Sequence, residues 1–413
     1  MSLIGSYLTA YILAYYNTTV KYVGQVVKRY NSLMKKLLTW LSRSRFPYTP
    51  LIRVTISKSH LLHNLHEFQK LAPQGKVAPV LKSNAYGHGL IEIARILDTE
   101  KGIPFLIVDS YFEAVALHAA HIKTPLLIIG YTPPSTLLRS RLSNISFTVT
   151  SLHMLQGILE TRHRIPIHLK IDTGMHRQGI LIEEIPTAIM LIKKSPHIVL
   201  EGISTHLADA DGTDPEFTHA QIQQWNELVH IFRKECSSLK WIHASATYGH
   251  SFSQDIDANV SRLGIGLYGL IEEERKMNLQ PVMEIRTLVT DIKTIKKGES
   301  IGYNATFTAS HDMRVATIPA GYYEGIDRRL SNIGFILVGP QRIPCPIVGR
   351  VSMNITSIDV THIPDIRPQD EVVIISNTFS DPNSINSIVK QTPGTIAYEM
   401  VIAIPSHLKR VVI

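Results

Sequence analysis

The sequence predicts an α/β chain: a (β/α)8 barrel of the TIM type followed by a mainly β C-terminal domain. Two observations carry this reading. From residue 49 to about 275, eight short β-branched runs alternate with segments of helical character. Beyond 275 the alternation stops, and extended runs follow one another without long helices between them. A length of 413 residues with 44% hydrophobic content is enough for two cores.

Residues 1–48 stand apart as a basic extension. Lys21, Lys28, Arg29, Lys35, Lys36, Arg43 and Arg45 lie there with no acid, so nearly all of the +8 net charge belongs to it. The rest of the chain is close to neutral, which argues against a nucleic-acid footprint. Val23, Val27, Tyr30, Leu33, Leu37 and Leu41 recur at helical spacing between the cations, as in an amphipathic helix. Residues 1–20 are too polar for a good membrane span, and no basic region precedes them as in a signal peptide. Two readings stay open for the extension: a packing helix, or peripheral membrane contact by an otherwise cytoplasmic protein. Cys236 and Cys345 lack metal-ligand spacing and suggest a reducing compartment.

The eight barrel strands are expected at 77–82, 104–109, 125–130, 145–150, 166–171, 198–205, 240–244 and 260–265. Helices are expected at Leu90–Asp98, Tyr111–Ile122, Leu152–His163, Ile185–Ser195 and Phe217–Glu235. A doubly wound open sheet is the competing fold. In the β domain, 276–413, the strands are expected at Val282–Ile292, Met313–Ile318, Gly334–Val338, Pro346–Val351, Thr356–Val360 and Glu371–Ile375.

This layout puts five polar residues at one rim. Lys82, Lys170, His206 and Ser245 end the first, fifth, sixth and seventh strands, and Arg262 falls on the eighth. Barrel active sites occupy that C-terminal face. A lysine after an apolar strand loses hydration, which lowers its pKa and suits it to Schiff-base chemistry.

The segment Val80-Leu81-Lys82-Ser83-Asn84-Ala85-Tyr86-Gly87-His88-Gly89 closely resembles the cofactor-lysine motif of the alanine racemases. Further matches follow in the family's order: Lys170-Ile171-Asp172-Thr173-Gly174-Met175-His176-Arg177, Thr205-His206, His243-Ala244-Ser245-Ala246, Arg262-Leu263-Gly264-Ile265, Gly302-Tyr303-Asn304-Ala305, Gly349-Arg350-Val351-Ser352-Met353 and Ala397-Tyr398-Glu399.

The resemblance implies a pyridoxal 5′-phosphate (PLP) enzyme that interconverts L- and D-alanine, supplies D-alanine for peptidoglycan and needs no metal. Lys82 is then both the PLP-bearing lysine and the base on one face of the substrate, with Tyr303 on the other. His206 and Arg262 form the polar network, and Arg262 faces the pyridine nitrogen. Tyr86, Ser245, Tyr398 and the backbone of Gly264 and Ile265 bind the phosphate. Arg177 and Met353 meet the substrate carboxylate, and Lys170 matches a lysine carried as a carbamate in several members. Tyr303 and Met353 come from a neighbouring subunit, which implies a homodimer.

The sequence departs from the family at Asn354, at Tyr323-Glu324 and at Ala244. These positions bear on substrate preference, so a serine or broad-spectrum racemase is the first alternative. A non-enzymatic PLP-binding barrel is the second, disfavoured by the domain that carries Tyr303.

Overall fold

A computed structural model of the chain describes residues 49–72, 76–212, 215–271 and 277–413. The basic extension, residues 1–48, lies outside the described residues.

The described chain opens with strand β1 (Arg53–Ile56) and helix α1 (Lys58–Leu71). Ser57 caps α1 by accepting the His60 N–H at 3.2 Å. Eight barrel strands follow: β2 (Val77–Pro79), β3 (Leu106–Val108), β4 (Leu126–Ile128), β5 (Ile145–Val149), β6 (Ile165–Lys170), β7 (Ile198–Ser204), β8 (Trp241–His243) and β9 (Ser261–Leu263). Each falls within or against an expected run. The helices between them are α2 (Leu90–Leu97), α3 (Tyr111–Ala119), α4 (Pro134–Arg139), α5 (Leu152–Gln156), α6 (Ile185–Lys194) and α7 (Glu216–Glu235). Helix α5 is shorter than the periodicity predicts and stops before Gly157, a position where a Cβ would strike Pro134.

Strands β3 to β8 form one parallel sheet in sequence order, and β9 pairs in parallel with β2. A parallel bridge between Val80 and Ile107 joins β2 to β3. Across the remaining seam, Asn259 N–H reaches the Ile242 carbonyl at 2.9 Å and Arg262 N–H reaches that of Ser245 at 3.1 Å. The sheet therefore curls into a ring, as the barrel reading requires and an open sheet does not.

Strands β2, β3 and β4 are buried on both faces, as expected for parallel strands lined by helices. Helix α7 buries Ile222, Trp225, Leu228, Val229 and Phe232 along one stripe, with Glu216 in its first turn and Arg233 and Lys234 in its last. Trp225 is fully buried, and truncating such a side chain typically costs about 3–5 kcal/mol.

The C-terminal region contains β10 (Met283–Leu288), β11 (Asp291–Ile295), β12 (Ser300–Ile301), β13 (Phe307–Thr308), β14 (Met313–Ile318), β15 (Phe335–Val338), β16 (Ile343–Pro346), β17 (Thr356–Asp359) and β18 (Glu371–Ile375). Helices α8 (Ile385–Gln391) and α9 (Ala397–Ile402) and strand β19 (Arg410–Val412) complete it. The strand expected at 346–351 lies earlier, at Ile343–Pro346; beyond it Ile347 bridges to Ile358 and Val348 N–H bonds to the Ser357 carbonyl, until Gly349 takes a φ of +78°. The main sheet has the order β16-β15-β18-β10-β1-β19. Its fifth strand is β1, so the chain passes through this sheet before it starts the barrel. Among the described residues no helix is long and apolar enough to cross a membrane.

Candidate active site

A cavity of about 820 Å³ opens at the C-terminal rim of the barrel. It is lined by Lys82, Tyr86, Lys170, Arg177, His206, Arg262, Gly264, Ile265 and Tyr398, nine of the residues that the sequence points to.

Lys82 stands just beyond β2, at the start of an unusual turn. Ser83, Asn84, Ala85 and Tyr86 follow it with φ of +56°, +57°, +52° and +51°. Left-handed backbone costs a residue with a Cβ about 1–2 kcal/mol, so four in succession need external support. Glu113 of α3 supplies part of it: its carboxylate accepts N–H bonds from Asn84 at 3.3 Å and Asp109 at 2.9 Å. Asn84 Oδ1 in turn accepts the Leu90 N–H at 2.9 Å.

Arg262 is buried below the cavity and makes five bonds. It donates to His243 Nδ1 at 2.8 Å, to His206 Nδ1 at 3.0 Å and to the carbonyls of His243, Thr205 and Ala244. His243 Nε2 lies 2.8 Å from His168 Nδ1. Burial holds the Arg262 pKa at about 10, so it stays a cation at neutral pH. Burial, helped by Arg262, depresses His206 and His168 to about 3 and His243 well below its ordinary value. The three imidazoles are neutral.

Lys170 Nζ makes a long 3.5 Å bond to Gln178 Oε1. Burial first, then the Arg262 and Arg177 charges, lower its pKa to about 8. Asp172 Oδ1 fixes the loop between Lys170 and Arg177 by accepting the N–H groups of Gly174 and His176, both at 3.0 Å.

At the other end of the cavity, Tyr86 packs on Tyr268 and Tyr398, with ring centroids 5.1 and 5.8 Å apart. A Cβ on Gly264 would come to 2.8 Å from the Tyr86 hydroxyl, so only glycine leaves this corner open. Ser245 is not among the cavity's lining residues, although the adjacent Gly249 is. The Ser245 carbonyl is tied to Arg262 N–H, which keeps the residue in the barrel wall, and its buried hydroxyl has no partner among the described residues. Thr247, in the same loop, lines the cavity: its Oγ1 accepts the Gly266 N–H at 3.3 Å and would lie 3.7 Å from a Cβ on Gly264. The sequence offered a signal, since Ser245-Ala246-Thr247 holds two hydroxyls in one loop.

Tyr303 and Met353 do not line the cavity of their own chain. They lie in the β domain, 69% and 55% exposed, and Tyr322, Tyr323 and Ile355 of the same domain are exposed as well. Met353 is held by its carbonyl, which accepts the Tyr323 N–H at 2.9 Å. Two of the family departures meet here: Asn354 Nδ2 donates to Glu324 Oε1 at 2.6 Å, while Glu324 Oε2 accepts the Gly321 N–H at 2.8 Å.

Residues 56–272 match the profile of the alanine racemase N-terminal domain, and residues 282–412 that of the alanine racemase C-terminal domain. The chain belongs to the alanine racemase family. An alanine racemase of Methanococcus maripaludis is 33% identical over 366 residues, covering 86% of this chain and 97% of the relative. Alanine racemase 2 of Bacillus subtilis is 31% identical, with 84% and 91% covered. Among solved structures, the Clostridium difficile alanine racemase superposes with a TM-score of 0.81 at 29% identity, covering 89% of this chain and 96% of that one. The Bacillus anthracis alanine racemase with bound L-Ala-P gives 0.78 at 26% identity, with the same coverage. Alanine racemases thus match this chain across both domains, and the basic extension, residues 1–48, lies outside both matched profiles.

Proposed function

We infer that the protein is an alanine racemase that uses PLP and two opposed proton-transfer residues. The observation that carries this reading is one cavity with a lysine, a buried permanent cation and a glycine-opened corner ringed by hydroxyls. The lining fits PLP. Lys82 would hold it covalently through its amine. Thr247, Tyr86, Tyr398 and the Gly264–Ile265 backbone would hold its phosphate, as loops after the last barrel strands commonly do. When bound, PLP draws electrons from the substrate Cα and makes its proton acidic.

The protein's own residues then decide the outcome. Arg262 can only donate, so it cannot take a proton from a pyridine nitrogen placed against it. This restrains charge build-up in the ring and disfavours side reactions such as transamination. Arg177 would orient the carboxylate of alanine by a bidentate pair. Lys82 Nζ would take or return the α-proton on one face. Tyr303 Oη of a partner subunit would serve the opposite face, with Met353 of that subunit beside the carboxylate. A homodimer is therefore part of the reading, supported by the exposure of both residues outside their own cavity. Purified protein should interconvert L- and D-alanine, faster with added PLP. A panel of L-amino acids, serine included, measures the breadth of substrate use. No racemisation of any member, with PLP present, would overturn the assignment.

A further inference from the structure

The turn that follows Lys82 has a second support, and it comes from the far end of the chain. Arg410, the first residue of β19, lays one edge of its guanidinium on the Gly87 carbonyl, from Nε at 3.2 Å and Nη2 at 2.8 Å. Its other donors hold the carbonyls of Pro405 at 2.6 Å, Leu408 at 2.7 Å and Ile404 at 3.2 Å. Gly87 also lies hard against α9: a Cβ there would meet the Val401 carbonyl oxygen at 2.0 Å. Within the turn, Gly87 N–H bonds to Ser83, Gly89 N–H to Asn84 and His88 N–H to Ala85. A pull on the Gly87 carbonyl is thus transmitted to three of the four left-handed residues.

We propose that Arg410 is a positioning residue for the reaction: by holding the Gly87 carbonyl from β19, it keeps the left-handed turn wound and Lys82 aimed into the cavity. The consequence for chemistry rests on the reading of Lys82 as the PLP-bearing residue. The consequence for the turn does not. A guanidinium suits the task because its planar fork satisfies four carbonyls at once, whereas a lysine ammonium concentrates its donors at one point.

Hydrogen exchange read by mass spectrometry tests this on the whole protein. Arg410→Met should raise exchange of the peptide spanning residues 81–90 about tenfold, the effect expected from losing a charged hydrogen bond, while barrel peptides such as 165–170 keep their wild-type rates. Arg410→Lys should recover part of the protection. Val411→Ala, which weakens the same strand where it pairs with Thr55, should leave the 81–90 peptide unchanged. In parallel, borohydride trapping of added PLP on Lys82 should slow in Arg410→Met by a similar factor and not in Val411→Ala. Unchanged exchange in Arg410→Met, or an equal rise in Val411→Ala, overturns the proposal. Should Arg410→Met not fold, Arg410→Lys decides, with wild-type exchange counting against it. A wild-type label found away from Lys82 would overturn the PLP reading alone, because the exchange data judge the turn separately.

Discussion

Arg262 donates to Nδ1 of His206 at 3.0 Å, and this fixes which nitrogen of that imidazole carries the proton. A guanidinium has no acceptor, so His206 Nδ1 must offer its lone pair, and the hydrogen sits on Nε2. The same argument applies to His243, whose Nε2–H must then donate to His168 Nδ1. All three rings share one tautomer, set by one arginine. Selective ¹⁵N-histidine spectra should show three Nε2–H tautomers that persist from pH 5 to 8. A ring protonated on both nitrogens in that range, or carrying its hydrogen on Nδ1, would contradict this arrangement.

Opposed bases give opposite defects. Tyr303→Phe should abolish racemisation yet still exchange the α-proton of one enantiomer through Lys82, as deuterium incorporation followed by NMR would report. Mixing Tyr303→Phe with Lys82→Ala should restore part of the activity, since a hybrid dimer contains one intact site. Absence of recovery in confirmed hybrids would rule out a site shared between subunits.

The phosphate corner predicts unequal effects for two neighbouring hydroxyls. Thr247→Val should weaken PLP binding by about tenfold, the scale of one lost hydrogen bond to a charged group. Ser245→Ala should leave it within about twofold if Thr247, which lines the cavity, is the hydroxyl that holds the phosphate. Titration of the apoprotein, followed by fluorescence, measures both. A larger effect at Ser245 would reverse the assignment.

Lys170 is expected to take up CO2 as a carbamate. With its pKa lowered to about 8, a sizeable fraction of its amine is neutral near neutral pH and able to attack CO2, releasing a proton as the N–C bond forms. The product is an anion facing Arg177 and Arg262, which would convert a repulsion into a pair. A ¹³C resonance from labelled bicarbonate, lost in Lys170→Ala, is the expected sign. A spectrum identical in the two proteins would dismiss it.

Burial also makes stability depend on pH. The ring of His250 lies 4.7 Å from that of Phe68, has no hydrogen-bond partner among the described residues, and has its pKa lowered from 6.5 to about 4. Between those values the unfolded chain binds a proton that the folded one refuses. Stability from this group is therefore complete above 6.5 and lost as pH falls toward 4, by about 2 kcal/mol at pH 5. His250→Phe should flatten the decline of Tm between pH 6.5 and 5 while leaving Tm near pH 8 little changed. An unaltered slope would show that His250 is not the source.

The sequence disclosed what depends on local pattern. Eight β-branched runs gave the barrel, and a cation or imidazole at a strand end was enough to find Lys82, Lys170, His206 and Arg262. It did not disclose what depends on where the chain turns after a strand. Ser245 and Thr247 have similar hydroxyls, and nothing in their spacing says that Thr247 lines the cavity while Ser245 is held by its carbonyl to Arg262 N–H. Contacts between distant segments were equally hidden. Nothing in the spacing links Arg410 to Gly87, or brings Glu324 to Asn354, because each pair meets through tertiary packing. The strand shifted to Ile343–Pro346 shows the same limit, since β-propensity continues past the residue where a left-handed glycine ends pairing.

Strand β1 pairs with β10 on one side and β19 on the other, and that placement sets a timetable for biosynthesis. β1 leaves the ribosome before the barrel, whereas β19 is made after all of it. At about 5–20 residues per second, β1 waits tens of seconds for its second neighbour. The barrel strands can close in that interval, but the main β sheet cannot. Throughout it the nascent chain carries an unpaired strand edge, the kind of surface that recruits other chains. The last pairing of the main sheet is thus β19 docking beside β1, and the same event delivers Arg410 to the turn behind Lys82.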